Sequence, residues 1–221
     1  MIKPERTNEG WKILETRVRK AFPDKEFYNI YLCSYLVKKD TGLAPNPFHG
    51  YCTLSCCTPN HMNIQLRKGD WIAGFSTKEY GNKLIYAMRV SEVLDYNTYF
   101  YDIRFQAKKP KLDQDYKKRC GDNMYWLENG KWKGLPRYFH CDEDEQEKDC
   151  KYNIVYISDH FFYFGKNAVV VPLEFKGLIW DRHGVKKDFP RHLIESFIHW
   201  LETNHDQNVL YGEPRDRQKY S

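Results

Sequence analysis

The chain has 221 residues, enough for one domain of ordinary size or two small ones. Its 35 Lys and Arg and 30 Asp and Glu give a formal net charge of +5, which permits nucleic-acid binding without requiring it. A hydrophobic fraction of 41% excludes wholesale disorder, and no apolar run approaches the ~18 residues of a membrane span. The N-terminal segment is too charged for a signal peptide, so we expect a cytoplasmic protein without a membrane partner.

The seven cysteines are an odd number, which argues against a closed disulfide framework and in favour of free thiols. No CxxC pair occurs, and structural zinc sites usually use such closely spaced ligands. The sequence therefore predicts no bound metal and no cofactor. The alternative is a metal site assembled from four residues of the middle segment, namely Cys120, His140, Cys141 and Cys150.

The first predicted element along the chain is a helix at 9–22, where apolar residues recur at helical spacing until Pro23 ends the pattern. From Tyr28 the sequence YNIYLCSYLV alternates like a strand. The next segment, 40–51, is rich in glycine and proline and must be a loop. Its length favours a functional role for that loop.

Short extended segments follow this loop. Strands are predicted at 69–75 and 84–94, joined by a hairpin connection at 76–82. Two more are predicted at 153–158 and 168–173, on either side of SDHFFYFG. Because few helical patterns separate these segments, the sequence predicts an antiparallel sheet that closes into a small barrel.

The remaining segments are charged or helical. Basic residues crowd the stretch 104–119, and the strongly acidic run 142–149 is interpreted as a solvated surface loop. A C-terminal helix is predicted with Asp188 as its cap, Pro190 in its first turn and apolar residues along one face. Beyond Glu202 the chain is polar, and we expect a loosely held tail.

One candidate site is a thiol nucleophile. The sequence offers Cys52 or Cys57 as the nucleophile and His140 or His49 as its base. General acid–base chemistry by His140, with Asp122 orienting it, is an alternative. A histidine in contact with a carboxylate or a cysteine inside a closed pocket would favour an enzyme, whereas an open basic cleft with aromatic faces would favour a binding protein.

A second candidate is a site that recognises a base. Aspartate and asparagine side chains in loops are suited to the polar edges of a base, although aspartates in turns also cap the backbone. Neighbouring aromatic rings are suited to stacking on the faces of a base. The side chains that we expect around one cavity are Asp40, Asn46, Asp122, His140 and Asp159.

Five motifs occur in an order that matches a known family. They are DTGLAPNPFHGYCTLSCC, GDWIAGF, LIYAMRVSEVL with DIRFQAKKP, GDNMYW and ISDHFFYFG. Together they resemble the nucleotide-modification-associated domain family, type 2, which is found among phage and bacterial systems linked to modified DNA bases. The resemblance covers roughly residues 28–180. It implies a process, base modification, and no particular reaction.

The motif residues of that family correspond to four groups of positions in this chain. They are Asp40, Thr41, Gly42, Pro45, Asn46, Pro47, Gly50, Cys52 and Cys57, then Gly121, Asp122, Asn123 and Tyr125, then His140, and finally Ser158, Asp159, Tyr163, Phe164 and Gly165. Leu43 and Thr58 stand where the family usually has an aromatic and a basic residue, so the resemblance implies no role for these two positions.

The residues and the resemblance together predict a protein that binds or processes a nucleotide or a modified base, linked to nucleic-acid base modification. The alternative is a nucleotide-directed enzyme. Under either hypothesis, the partner of the protein would be a nucleotide, a modified base or a nucleic acid. The candidate catalytic residues are His140, Asp122 and Cys52. The candidate nucleotide-binding residues are Asp40, Thr41, Asn46, Phe48, Tyr51, Asn123, Tyr125, Ser158, Asp159 and Tyr163.

The basic stretch carries a separate prediction. We expect Arg104, Lys108, Lys109 and Lys111 to contact phosphates, so that affinity for nucleic acid falls steeply with salt. The competing interpretation is that these side chains only balance the acidic run 142–149.

A weaker likeness concerns architecture, because GDWIAGF and the strand after it are similar to the centre of PUA, ASCH and EVE barrels. The expected fold class is therefore α+β, a small and mostly antiparallel β-barrel of PUA-like type with flanking N- and C-terminal helices. One domain would span 1–221, with a core at about 28–201, an N-terminal helical addition at 1–23 and the tail at 202–221.

Overall fold

The computed structural model describes residues 30–57, 63–137, 139–180 and 182–217. Its largest element is a six-stranded sheet. The strands in spatial order are β10 (Val185–Lys186), β1 (Leu32–Val37), β3 (Trp71–Ser76), β4 (Leu84–Arg89), β9 (His160–Tyr163) and β11 (Val209–Leu210). β1 runs parallel to β3 and β9 parallel to β11, whereas the other neighbours are antiparallel.

Two smaller sheets complete the β-structure of the described residues. β2 (Cys52–Leu54), β8 (Val155–Ser158) and β5 (Glu92–Leu94) form an antiparallel three-stranded sheet in that order. β6 (Tyr125–Glu128) and β7 (Lys131–Gly134) form a hairpin. The candidate site described below lies between the end of β2 and the segment that follows this hairpin.

One bent antiparallel ribbon connects the two larger sheets. Arg89 of β4 lies opposite His160 of β9, and Glu92 of β5 lies opposite Ile157 of β8. Glu92 comes three residues after Arg89, and Ile157 comes three residues before His160, so the antiparallel register continues through the bend. At the bend, the amide of Ser91 donates to the carbonyl oxygen of Ile157 (2.8 Å). The ribbon therefore belongs to both sheets.

The prediction of a closed barrel is wrong. The edges of the six-stranded sheet are β10 and β11, which pair with β1 and β9 and not with each other. The sheet stays open because the bent ribbon carries β5 and β8 away into a separate sheet, and because the parallel pair of β1 and β3 departs from an antiparallel meander. The fold is α+β without the expected PUA-like barrel.

Apolar side chains cover both faces of the six-stranded sheet. Successive residues of a strand point to opposite faces. Accordingly Trp71 and Phe75 of β3 pack in one cluster with Phe197 of helix α4 (Arg191–Asn204), whereas Ile72 packs on the other face with Leu54 of the three-stranded sheet. Full burial of each such side chain contributes about 1.5–3 kcal/mol to stability.

Three shorter helices are α1 (Tyr96–Tyr101), α2 (Tyr116–Arg119) and α3 (Glu143–Cys150). Each begins after an aspartate whose carboxylate accepts the backbone amide three residues further on, as N-cap residues do. The 3₁₀ turns of the described residues are Lys78–Tyr80, Ile103–Lys108, Gly165–Asn167 and Leu173–Leu178. No helix in the described ranges is long and apolar enough to cross a membrane.

Several sequence predictions are confirmed within a few residues. The structure has strands in the segments 69–75, 84–94 and 153–158, the antiparallel hairpin that joins the first two, and the C-terminal helix. The helix predicted at 9–22 lies outside the described residues.

Other local predictions are wrong. The segment 168–173 forms only a single bridge from Val169 to Leu84. Pro172, which has no amide to donate, then leads into a 3₁₀ turn. The acidic run is the helix α3 instead of a surface loop. Pro190 instead of Asp188 occupies the N-cap of α4.

The described part of the C-terminal tail is attached to the body of the protein, contrary to expectation. β11 pairs with β9, and the amide of Asp216 donates to the carbonyl oxygen of Asp40 (2.9 Å). In return the amide of Asp40 donates to the carboxylate of Asp216 (2.8 Å). Arg215 adds hydrogen bonds from its amide to the Asp40 carboxylate and from its guanidinium to the carbonyl oxygen of Lys38.

We expect Asp216→Ala to lower the free energy of unfolding by about 1–3 kcal/mol, because the buried amide of Asp40 loses its acceptor. Urea denaturation of the whole chain measures the change. Glu213→Ala is the matched control, since Glu213 is exposed in the same segment. Equal unfolding midpoints for the two variants would contradict the attachment.

Candidate functional site

A cysteine, a histidine and an aspartate from three segments form a continuous chain of contacts. Cys57 follows β2, His140 lies between the β6–β7 hairpin and α3, and Asp149 belongs to the last turn of α3. The Sγ atom of Cys57 lies 3.5 Å from Nε2 of His140. The Nδ1 atom of His140 lies 2.6 Å from a carboxylate oxygen of Asp149. A thiol, an imidazole and a carboxylate in this order have the geometry of a nucleophile with its base and an orienting group.

The Asp149 side chain holds the other members of the chain in place. It is fully buried, and one of its oxygens accepts the backbone amide of Cys57 (3.1 Å). The other oxygen accepts the ring N–H of His140 and the hydroxyl of Tyr125 (3.1 Å). Because Nδ1 donates to the carboxylate, Nε2 is the ring atom that faces the thiol.

Backbone conformation at the site is unusual for residues other than glycine. Cys57 has φ 65° and His140 has φ 54°, both in the left-handed region. Such conformations cost of order 1–3 kcal/mol and persist only where surrounding contacts impose them. Those contacts are present, because Asp149 binds the amide of Cys57 and the guanidinium of Arg137 donates to the carbonyl oxygen of His140.

Electrostatic interactions favour a thiolate on Cys57. A hydrogen bond from the Cys56 thiol, followed by interactions with His140, lowers the pKa of Cys57 to about 6 despite its burial. Burial opposes a charge on His140, but hydrogen bonds to Asp149 and Cys57 outweigh it and raise the pKa of His140 to about 11. The hydrogen bond with Cys57, together with burial, raises the pKa of Cys56. At neutral pH the pair is therefore a thiolate beside an imidazolium.

A cavity of about 930 Å³ opens beside the thiol. Its wall includes Cys57 and His140, together with the aromatic side chains Tyr35 and Phe139. Asp149 does not line the cavity. The two groups with nucleophile and acid–base chemistry thus face a space large enough for a substrate, whereas the carboxylate behind them is shielded from it.

The same residues include a set that is suited to a soft metal ion. One ligand atom from each of Cys56, Cys57 and His140 lies within 4.8 Å of the other two. Zinc in catalytic sites is typically held by three such side chains and keeps a fourth position open. This set differs from the alternative suggested by the sequence, which combined His140 with Cys120, Cys141 and Cys150.

Two of the predicted base-reading side chains, Asp122 and Asn46, are instead buried in a second polar network. The carboxylate of Asp122 accepts the hydroxyls of Thr53 and Tyr99, each at 2.7 Å. The ammonium group of Lys108 donates to the backbone and side-chain oxygens of Asn46, at 3.0 and 2.8 Å. All five side chains are at most 1% exposed. Burial raises the pKa of Asp122 and lowers that of Lys108 to about 8.

The other predicted residues of the first two motif groups are also mostly structural. Asn123 donates to the carbonyl oxygens of Tyr99 and Phe105, both at 3.1 Å. Cys52 is fully buried, and burial raises its pKa to about 12. Phe48 packs with Tyr116 and Cys120 in a small apolar cluster. By contrast Thr41 lines the 930 Å³ cavity.

The expectation of one shared cavity for five predicted side chains is not met. His140 lines the large cavity, whereas Asp159 and Tyr51 line a separate one of about 830 Å³. Asp159 binds Ser91 at the bend of the ribbon, and the hydroxyl of Ser158 binds the backbone of His160. Asp40, which is fully buried, accepts the hydroxyl of Tyr163 (2.6 Å).

The basic stretch is also divided by the fold. Lys108 is buried in the second polar network. Arg104 pairs with Asp102 and Glu92, and the ammonium of Lys109 lies 3.6 Å from the ring centroid of Phe100. Lys111 is exposed. A phosphate-contacting role for this stretch remains a prediction.

Asp149 is the site residue that the sequence analysis missed. Asp142 followed by Glu145 three positions later is a helix N-terminus signature that could have identified α3, although the acidic run was interpreted as a loop. The burial of one carboxylate among many acidic residues has no comparable local signal. It depends on contacts with Cys57 and Tyr125, which are distant in sequence.

We expect Asp122→Ala to destabilise the protein by roughly 2–4 kcal/mol, because two buried hydroxyls lose their acceptor. Asp113→Ala, at an exposed position in the same region, is the control and should leave the urea midpoint unchanged. A normally stable Asp122→Ala protein would argue against a structural role for this carboxylate.

We expect Cys57 to be alkylated by iodoacetamide at a rate that rises with pH and reaches half its plateau near pH 6, because the thiolate is present above its pKa of about 6. Free cysteine, with a pKa of about 8.5, supplies the reference curve. Asp149→Asn should shift the Cys57 profile to higher pH, because His140 loses the carboxylate that raises its pKa, and the effect of charged His140 on Cys57 is larger than the direct repulsion from Asp149. Glu147→Gln on the same helix should cause no shift. Peptide mass spectrometry gives the rate at each cysteine, and a Cys57 profile like that of free cysteine would contradict the activation.

Comparison with known families agrees with the motif order noted in the sequence. The family described as nucleotide modification associated domain 2 matches residues 28–220, a range that contains all three residues of the chain of contacts. Comparisons with curated proteins and with solved structures find no match. The chain belongs to the nucleotide modification associated domain 2 family, and its family is associated with nucleotide modification.

Proposed function

We propose that the protein is a thiol-dependent enzyme that removes or transfers an acyl group carried by a nucleotide or a modified base. The continuous contact from the Cys57 thiol through His140 to Asp149, beside an open cavity, carries this proposal. Cys57 is the nucleophile and His140 the general acid and base. Asp149 is a positioning residue, because it holds the other two and does not line the cavity.

The proposed reaction begins when the Cys57 thiolate attacks the carbonyl carbon of the acyl group. A carbon–sulfur bond forms, and the π electrons of the carbonyl move onto its oxygen. When the carbonyl re-forms, the bond to the departing nitrogen or oxygen breaks, and His140 gives its Nε2 proton to that atom. Neutral His140 then takes a proton from a water that attacks the thioester, and the carboxylic acid and the thiolate are released.

Three features support a nucleotide or modified base as the substrate. The family is associated with nucleotide modification. The cavity volume of about 930 Å³ falls within the range of small-molecule sites. Its wall combines the half-buried Phe139 with the basic residues Lys39 and Arg182, which suits a planar ring bearing an anionic group.

The two alternatives to an acyl-transfer enzyme are a protein that only binds a base and a metal centre. The open cavity with basic and aromatic residues in its wall matches the expectation for a binding protein, but a protein that only binds a base does not need a buried carboxylate aligned through an imidazole to a thiol. A metal centre held by Cys56, Cys57 and His140 is favoured by the spacing of their ligand atoms. Stoichiometric zinc in the purified protein, with loss of activity on chelation, would support that second candidate.

The proposal is tested with N-acetylated deoxycytidine and deoxyadenosine monophosphates, by chromatography of the deacetylated product. We expect turnover that falls about a thousandfold or more in Cys57→Ser and in His140→Gln, because the covalent step is lost. Cys141→Ser is the control, since Cys141 lines the cavity outside the chain of contacts. Acid quenching followed by peptide mass spectrometry should show acetyl on Cys57 alone.

Two results would contradict the proposal. One is turnover in Cys57→Ser at the wild-type rate. The other is the absence of both turnover and a Cys57 adduct for every compound in the set, with wild-type protein whose folding has been verified by its urea midpoint.

A further inference from the structure

Both basic and acidic residues line the large cavity. The basic ones are Lys38, Lys39, Arg182 and His183. Asp142 and Glu145, at the start of α3, also line the wall. Lys38, Lys39 and Arg182 outnumber the two acidic residues, and they come from two segments that are far apart in sequence.

Strand pairing explains why these two segments meet. β1 and β10 are antiparallel, with Tyr35 opposite Val185. Lys38 and Lys39 come directly after the end of β1, and Arg182 comes shortly before the start of β10. In an antiparallel pair, the residues after one strand lie at the same end as the residues before the other. The three cations are therefore brought to one end of the β1–β10 pair.

These cations are available to a ligand. Lys38, Lys39 and Arg182 are exposed, and none of them forms an ion pair within the described ranges. The backbone at Lys38 is held in place, because the guanidinium of Arg215 donates to the carbonyl oxygen of Lys38 (2.9 Å). Of the two acidic residues, Asp142 is less available to a ligand, since its carboxylate already accepts the backbone amide of Glu145 (2.8 Å).

We infer that Lys38, Lys39 and Arg182 form a phosphate subsite, which binds the phosphate of a mononucleotide while its base lies toward Cys57. This inference rests on the proposed function, because it takes Cys57 as the reacting group. The cavity volume of about 930 Å³ favours a single nucleotide. A phosphate could also belong to a nucleic-acid strand, and the test below separates these two sources.

The test compares two alkylating reagents of similar size and opposite charge state, anionic iodoacetate and neutral iodoacetamide. The ratio of their rates at Cys57, measured by peptide mass spectrometry, reports the local potential. In the triple variant Lys38→Gln, Lys39→Gln and Arg182→Gln, we expect the ratio of the iodoacetate rate to the iodoacetamide rate to fall about tenfold. The variant lacks the three positive charges that attract the anionic reagent in the wild type. The iodoacetamide rate should stay within a factor of two or so of the wild type.

A matched control removes the same total charge elsewhere. The triple variant Lys78→Gln, Lys131→Gln and Lys166→Gln changes exposed lysines that do not line the cavity, and its ratio should equal that of the wild type. A ratio unchanged in both triple variants would overturn the phosphate subsite while leaving the reactive thiol intact. Cys57 that reacts no faster than Cys141 with either reagent would overturn the proposed function itself.

Protection from iodoacetamide identifies the source of the phosphate. We expect thymidine monophosphate to slow alkylation of Cys57 at concentrations at which thymidine does not, and the cavity triple variant to lose this difference. Equal protection by the nucleoside and the nucleotide would contradict a phosphate subsite. Stronger protection by a single-stranded oligothymidine than by the mononucleotide would contradict the commitment to a single nucleotide.

Discussion

The buried carboxylate of Asp149 is the group on which the geometry of the site depends. It accepts hydrogen bonds from the amide of Cys57, the ring of His140 and the hydroxyl of Tyr125. These donors belong to three segments, and leaving a buried donor without an acceptor costs more free energy than forming the bond gains. The position of α3 and the alignment of the thiol with the imidazole therefore depend on each other in the folded protein.

The second buried polar network fixes the residues that precede Cys57 in the chain. Thr53 of β2 donates to the carboxylate of Asp122, and Ser55 donates to its carbonyl oxygen (2.8 Å). Cys57, two residues further on, is held by Asp149. The segment that carries the thiol is thus anchored at alternate residues by two carboxylate-bearing residues from different parts of the chain. This anchoring explains how a residue after a short strand keeps a left-handed backbone conformation.

Local patterns were sufficient to predict several strands, the hairpin and the C-terminal helix, because alternation and helical spacing reflect burial directly. The motif order also identified the family and drew attention to His140 and Cys57. The sheet arrangement was not predictable in this way, since a strand pattern does not state which neighbour a strand pairs with. The parallel pair of β1 and β3 is an example.

The candidate site shows the same limit in another form. Polar residues in glycine-containing loops suggested contact with a ligand, yet Asp122, Asn46 and Asn123 have protein partners and are fully buried. Their residue types fit both roles, and only long-range contacts distinguish the two. Asp149 illustrates the converse, because it is the one buried carboxylate within a run of acidic residues, and nothing in the local sequence distinguishes it from its neighbours.

The bent ribbon has a consequence for how a substrate reaches the cavity. Because β4–β5 and β8–β9 continue through both sheets in one register, the sheets share covalent and hydrogen-bonded connections along the whole ribbon. Opening by rotation of one sheet against the other would break that pairing. A substrate therefore enters through the opening that the cavity already has, beside the turns beyond β1 and before β10, and its access does not depend on moving the two sheets apart.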